Sequence, residues 1–97
     1  MTHSIIFLKQ AEKDLDEIVT YKAGFYARTA DRFLDELDAV LNNIAGNPNI
    51  YQIYIHDDRY RRAVVTDYLL FYKVCEKTHT VKVYRVLHGK RDIEKYL

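Results

Sequence analysis

Three stretches of the chain carry side chains able to hold a phosphate or move a proton. The first is Arg59-Tyr60-Arg61-Arg62. Guanidinium groups stay charged and bind phosphate through two parallel N–H bonds, and a tyrosine ring can stack on an unpaired base. In a strand, alternation sends Arg59 and Arg61 to one face and Arg62 to the other. The same run also reads as an edge strand guarded by charge against stray pairing. The second stretch is Val81-Lys82-Val83-Tyr84-Arg85-Val86-Leu87. Strict alternation groups Arg85 with Val81, Val83 and Leu87, where a guanidinium is costly unless paired or at the sheet rim. An acid on a helix would pair it, and a bulge would shift the phase. The third is His88-Gly89-Lys90-Arg91-Asp92, with Tyr96 close behind. Histidine moves a proton near neutral pH, arginine can neutralise a pentacoordinate phosphate, and the glycine permits a turn that brings both to one edge. Cleavage of RNA by its own 2′-hydroxyl needs only such a base, acid and cation, with no metal. Alternatively, the run is a strand-ending turn capped by its histidine.

Other chemistries find no support. His3, His56, His79 and His88 are scattered without metal-ligand spacing, so no metal site is expected. Gly-rich phosphate loops and nucleophile elbows are absent, and no cofactor is expected. A single cysteine, Cys75, excludes an internal disulfide and reads as a small core residue at a strand end. That cysteine usage and an N-terminus without a basic stretch and long apolar run predict a cytoplasmic protein with no membrane contact.

The net charge of +1 hides an asymmetry. Lys9 to Asp58 holds 5 basic and 10 acidic residues, whereas Arg59 to Arg91 holds 9 basic residues and only Asp67 and Glu76 as acids. A basic half of this kind is the footprint expected of an acidic partner or nucleic acid. The other reading is a surface whose charges simply vary along the sequence.

These residues need elements to position them. Ser4 to Leu8 reads as a strand. Ala11, Leu15, Ile18 and Val19 recur at helical spacing from about Gln10 to about Tyr26, with Lys13, Asp14, Asp16 and Glu17 facing elsewhere. Gly24 weakens the last turns. Thr29 is the expected N-cap of a second helix with the stripe Phe33, Leu37, Val40, Leu41 and Ile44. Gly46 suits the left-handed position after that helix, and Pro48 prevents continuation. An irregular stretch from Asn49 to Asp58 leads to strands over Tyr60–Thr66, Tyr68–Glu76 and Thr80–Leu87, joined by links short enough for antiparallel hairpins. Arg91 to Tyr96 makes one helical turn or a tail. The 97 residues suit one domain, 1–97, of α+β class with the helices packed across one sheet face.

This ordered set resembles the RelE/ParE superfamily of type II toxins over nearly its full length. The similarity runs through Ala11-Glu12-Lys13-Asp14-Leu15-Asp16-Glu17-Ile18 and Asp31-Arg32-Phe33-Leu34-Asp35-Glu36-Leu37. It is most specific in Asp67-Tyr68-Leu69-Leu70-Phe71-Tyr72-Lys73-Val74 and in Val83 to Ile93. The resemblance implies a two-layer domain and a growth-arresting toxin silenced by a cognate antitoxin, with which it would form a hetero-oligomer. It implies two alternative targets, DNA gyrase for ParE-like members and the ribosome with its mRNA for RelE-like members. The RelE-like pattern is matched at Arg61, Arg62, Arg91 and Tyr96. With His88 from the residue reading, the catalytic set of a nuclease would be Arg61, Arg62, His88, Arg91 and Tyr96, and the residues able to bind phosphate or target are Arg59, Arg61, Arg62, Arg85, Lys90 and Arg91. Leu69 departs from that pattern, which carries an arginine after the tyrosine of this strand. A leucine cannot hold phosphate charge, so the resemblance leans toward the ParE-like branch, with an inactive antitoxin-binding relative as a third reading.

Overall fold

A computed structural model describes residues 2–97. The elements run β1 (Ser4–Phe7), α1 (Lys9–Ala23), α2 (Ala27–Gly46), β2 (Arg61–Val65), β3 (Tyr68–Cys75) and β4 (Thr80–His88). Short 3-10 turns lie between β3 and β4 at Glu76–Thr78 and after β4 at Ile93–Lys95. The four strands form one sheet in the order β1-β4-β3-β2. The β2–β3 and β3–β4 pairs are antiparallel hairpins, as the short links predict. β1 lies parallel to β4, with Ser4 opposite Thr80 and Phe7 opposite Val83. No helix among the described residues is long and apolar enough to cross a membrane.

The helical hairpin covers one sheet face. Ala11 and Ile18 from α1 and Phe33, Leu37, Val40 and Ile44 from α2 meet Ala63, Val65, Leu70, Tyr72, Val81, Val83 and Val86. The spacings within α2 are those of one helical stripe, so burial follows from the sequence pattern. A smaller cluster of Tyr54, Tyr60, Phe71, Leu87 and Ile93 forms on the opposite face. There the segment before β2 and the C-terminal turn supply the cover that the helices cannot.

Four local expectations are corrected. α1 stops at Ala23 rather than near Tyr26, and Gly24 takes the C-cap with its N–H on the Thr20 carbonyl at 3.1 Å. Tyr26, extended at φ −148°, is the N-cap of α2, and Thr29 lies inside the first turn. Ala27 and Arg28 are good helix formers and let the helix start early. Gly46 remains helical, and Asn47 ends the helix at φ −153°. The following Pro48 disfavours helical geometry at Asn47, so the extended break falls there. Cys75 is exposed rather than in the core.

The strand β4 does not alternate strictly. Tyr72 stands opposite Val83 but Phe71 stands opposite Arg85, so a bulge falls at Tyr84. Val81 and Val83 face the helices before it, and Val86 does so after it, while Leu87 turns to the opposite face. The extra residue reverses the parity that strict alternation assigns to Arg85 and Leu87.

Tyr72 is fully buried and donates its hydroxyl to the Pro48 carbonyl at 2.8 Å. Burial pushes its pKa up to about 12 from 10.0. In the unfolded chain this tyrosine ionises near its ordinary value, and in the folded chain it resists. Its contribution is therefore complete below about pH 10 and is lost as pH rises toward about 12. Stability measured by urea unfolding should fall across that window. Tyr72→Phe should flatten part of the fall and cost about 0.5–1.5 kcal/mol at neutral pH.

Candidate functional site

β1 ends at Phe7, and the Leu8 N–H still reaches the Val83 carbonyl at 3.0 Å. Beyond that point the edge of β4 has no strand beside it. α1 crosses there and presents Asp14. One Asp14 oxygen accepts the Val86 N–H at 3.0 Å and Arg85 Nε at 2.8 Å, and the other accepts Arg85 Nη2 at 3.0 Å. Asp14 thus closes an orphaned rung of the sheet and neutralises the arginine raised by the bulge. The apolar spacing of α1 predicts Asp14 facing outward, but it is buried. The signal was available, because Asp14 lies three residues after Ala11 and four before Ile18, on the buried stripe.

Arg85 spends its third nitrogen, Nη1, on the Tyr96 carbonyl at 2.9 Å. The helix acid expected as one option is therefore its partner, and its N–H groups are turned inward rather than offered to a phosphate. The guanidinium carbons of Arg85 and Arg91 lie 5.5 and 5.1 Å from the centre of the Tyr96 ring. Both contacts are within cation–π range. The tail thus brings Tyr96 to Arg91, as the sequence set requires.

His88 packs edge-on against Tyr68 with ring centres 5.2 Å apart. Its Nδ1 accepts the Lys90 N–H at 3.1 Å, which is the turn-closing role foreseen for it. When neutral, its proton therefore sits on Nε2. The Gly89 N–H donates to the Asp67 carbonyl at 2.9 Å, and a Cβ on Gly89 would stand 3.4 Å from that oxygen. That distance is an ordinary contact and the dihedral is not left-handed, so neither crowding nor backbone geometry demands a glycine there. His88 and Arg91 line an open groove of about 540 Å³ together with Lys22 and the acids Asp14, Glu17 and Asp67. The groove carries both signs of charge.

The Arg59–Arg62 cluster lies elsewhere. Arg59 forms a forked pair with Asp57 at 2.9 and 2.6 Å, and its hydrogen bonds hold the Asp57 carboxyl down at about 2. The same pairing raises the pKa of Arg59. Arg61 Nη1 donates to the Tyr51 carbonyl at 2.8 Å. Arg61 and Arg62 stand opposite Tyr72 and Phe71 and so face opposite sides of the sheet, as alternation predicts. Arg59 and Arg61 line a second groove of about 430 Å³ that shares no residue with the first. Arg61 stands opposite Tyr72 while His88 stands opposite Tyr68. Four residues of strand separate those rungs, roughly 13 Å.

One arrangement escaped the sequence reading. Lys73 Nζ lies 4.7 Å from the ring centres of both Tyr60 and Tyr84. The two rings meet edge to face at 5.4 Å. Alternation along β3 places Lys73 on the open face, but nothing in the sequence announces that the bulge turns Tyr84 toward it.

Comparison with known proteins adds a family and a fold. The family described as the ParE toxin of type II toxin–antitoxin system, parDE, matches residues 5–93. No curated protein matches the sequence significantly. Among solved structures, a chain of the chromosomal ParDE toxin–antitoxin system from P. aeruginosa superposes with a TM-score of 0.71 at 13% identity, over 90% of this chain and 96% of that one. The toxin–antitoxin complex RelBE2 from Mycobacterium tuberculosis gives 0.68 at 17% identity, over 91% and 99%. The archaeal RelE–RelB complex from Pyrococcus horikoshii OT3 gives 0.56 at 24% identity, over 94% and 99%. At these identities the structures speak for the fold, which is the α+β arrangement of two helices on a four-stranded sheet.

Proposed function

This chain belongs to the ParE toxin family of type II toxin–antitoxin systems, and from that premise we propose that residues 1–97 are one toxin domain that arrests growth in the cytoplasm by acting on DNA gyrase through protein contacts. The observation that carries this reading over RNA cleavage is the division of the candidate nuclease set. Arg61 lines one groove while His88 and Arg91 line another, with no residue in common. A general base and a phosphate-holding arginine must reach one phosphodiester within hydrogen-bond distance. Arg85 is committed to Asp14, and Leu69 stands where the RelE-like pattern carries an arginine.

A cognate antitoxin is the second part of the proposal. Ile50, Ile53, Ile55 and Val64 are large apolar side chains left exposed around the start of β2 and on its outward face. Ile53 lines a groove with Arg59 and Arg61 and pairs with Arg61 across a single bridge. An antitoxin segment that folds on contact and carries apolar and acidic residues would cover both. Two proteins with the same fold come from toxin–antitoxin systems, of P. aeruginosa and M. tuberculosis, and the one from P. horikoshii is a RelE–RelB complex.

A ribosome-dependent mRNA endonuclease is the second reading, favoured by the Arg91–Tyr96 contact beside His88. Expression without antitoxin decides between them. Trapped gyrase–DNA cleavage complexes with intact mRNA are expected. Cut mRNA with active gyrase would overturn the proposal, and normal growth would identify an inactive antitoxin-binding relative. His88→Ala should leave growth arrest unchanged, whereas a nuclease using that base would lose about 10²–10⁴-fold in cleavage rate.

A further inference from the structure

Two histidines that the sequence scatters are brought together by the parallel strand pair. The His3 N–H donates to the Ala45 carbonyl at 2.8 Å and the Ser4 N–H to the His79 carbonyl at 2.9 Å. The 3-10 turn before β4 closes with the His79 N–H on the Glu76 carbonyl at 3.3 Å. His79 itself adopts φ 49°, in the left-handed region. One ligand atom each from His3, Glu76 and His79 lie within 4.8 Å of one another.

His3 supplies a separate observation. Its side chain is only 9% exposed, and both ring nitrogens are buried without a hydrogen-bond partner among the described residues. Buried polar atoms in native proteins are nearly always satisfied. The Nε2 atom comes within 3.4 Å of a Glu76 oxygen but is not directed at it as a hydrogen bond. Around a tetrahedral zinc ion with bonds of ~2.0–2.1 Å, neighbouring ligand atoms stand about 3.4 Å apart. An ion between them would therefore satisfy that nitrogen with the His3–Glu76 spacing already in place.

We propose that His3, Glu76 and His79 form a binding site for a divalent transition metal of the zinc type. Imidazole and carboxylate ligands suit such an ion better than calcium or magnesium. Glu76 and His79 are exposed, which gives the ion an entry path and leaves a fourth position for water. The ligands come from the start of β1 and the β3–β4 turn. The ion would therefore fasten the N-terminal strand to the sheet, and the folded state would gain stability by mass action.

The test uses the full, untagged chain stripped with EDTA, because an affinity tag of histidines would adjoin His3. Titration with Co²⁺ should give one ion per chain with the visible absorption of a tetrahedral site, displaced by Zn²⁺. Zn²⁺ should raise the thermal midpoint, and EDTA should reverse the rise. His3→Gln and His79→Asn should each weaken Zn²⁺ binding by more than the ~10–100-fold that loss of an outer partner costs. Asparagine is chosen because it tolerates the left-handed backbone at that position. Cys75→Ser should bind as tightly as the parent. Failure of stoichiometric binding, binding that survives both histidine substitutions, or its loss in Cys75→Ser would each overturn the site. In the parent protein, the ring resonances of His3 and His79 must both move on Zn²⁺ addition. Unmoved rings would overturn it without any variant having to fold.

Discussion

Asp14→Ala is expected to destabilise the chain by about 3–5 kcal/mol, the cost of breaking a buried ion pair from one side. Arg85 would keep its charge with a side chain only 15% exposed and lose two of its three bonds. The Val86 N–H would lose its Asp14 acceptor at the point where β1 no longer reaches β4. Domains of this size have total stabilities of about 5–15 kcal/mol, so the variant should sit near the edge of unfolding. Urea denaturation followed by far-ultraviolet circular dichroism measures the loss. The paired change Asp14→Leu with Arg85→Met removes both charges at once and should recover much of it, since hydrophobic replacements of buried pairs are often neutral. A loss below about 1 kcal/mol for Asp14→Ala would mean that water screens the pair as it does on a surface. Because Arg85 also holds the Tyr96 carbonyl, the C-terminal turn should loosen in the same variant. Faster amide exchange from Ile93 to Leu97 would report that.

Phe33→Ala should cost a comparable amount, about 3–5 kcal/mol, for a different reason. Phe33 is 1% exposed and is among the largest fully buried side chains. It joins α2 to the sheet by an edge-to-face contact with Tyr68, ring centres 5.5 Å apart. Lys22 lies over both rings at 5.7 and 5.4 Å, so its stem and charge are spent on the same contact. α2 cannot easily settle into the gap, because Glu36, one turn on, accepts the Thr66 N–H at the β2–β3 turn. Phe33→Leu keeps most of the volume and should cost less than about 1.5 kcal/mol. Equal losses for the two substitutions would show that ring geometry, rather than filled space, supports the helix–sheet contact.

Much of the fold is legible without coordinates. Phe33, Leu37, Val40 and Ile44 mark the face of α2 by spacing alone, and Ala63-Val64-Val65 and Thr80 to Leu87 mark strands by composition. Element ends were harder, because Thr29 looks like a cap in isolation while Ala27 and Arg28 extend the helix past it. The site was legible in its residue types but not in its grouping. Arg61 and His88 belong to strands that share a sheet, yet the hairpin register sets them far apart along it. Asp14 was readable from its place between Ala11 and Ile18, but charge argued it outward until a bulge on a distant strand supplied its partner. The approach of His3 to His79 was not readable at all, since it depends on a parallel pairing that no short turn announces.

That parallel pairing orders events during synthesis. Ser4 to Phe7 leave the ribosome before the other strands, yet among the described residues their ladder partners are Thr80 to Val83. At roughly 5–20 residues per second, β1 travels for seconds with Ile5 and Phe7 unpaired. Closing so long a loop is also the slow step that topology imposes on such a sheet. A chain released before β4 leaves β1 without a neighbour and Asp14 without Arg85. Truncated products of a stalled ribosome would therefore be unfolded substrates for proteases rather than fragments of toxin.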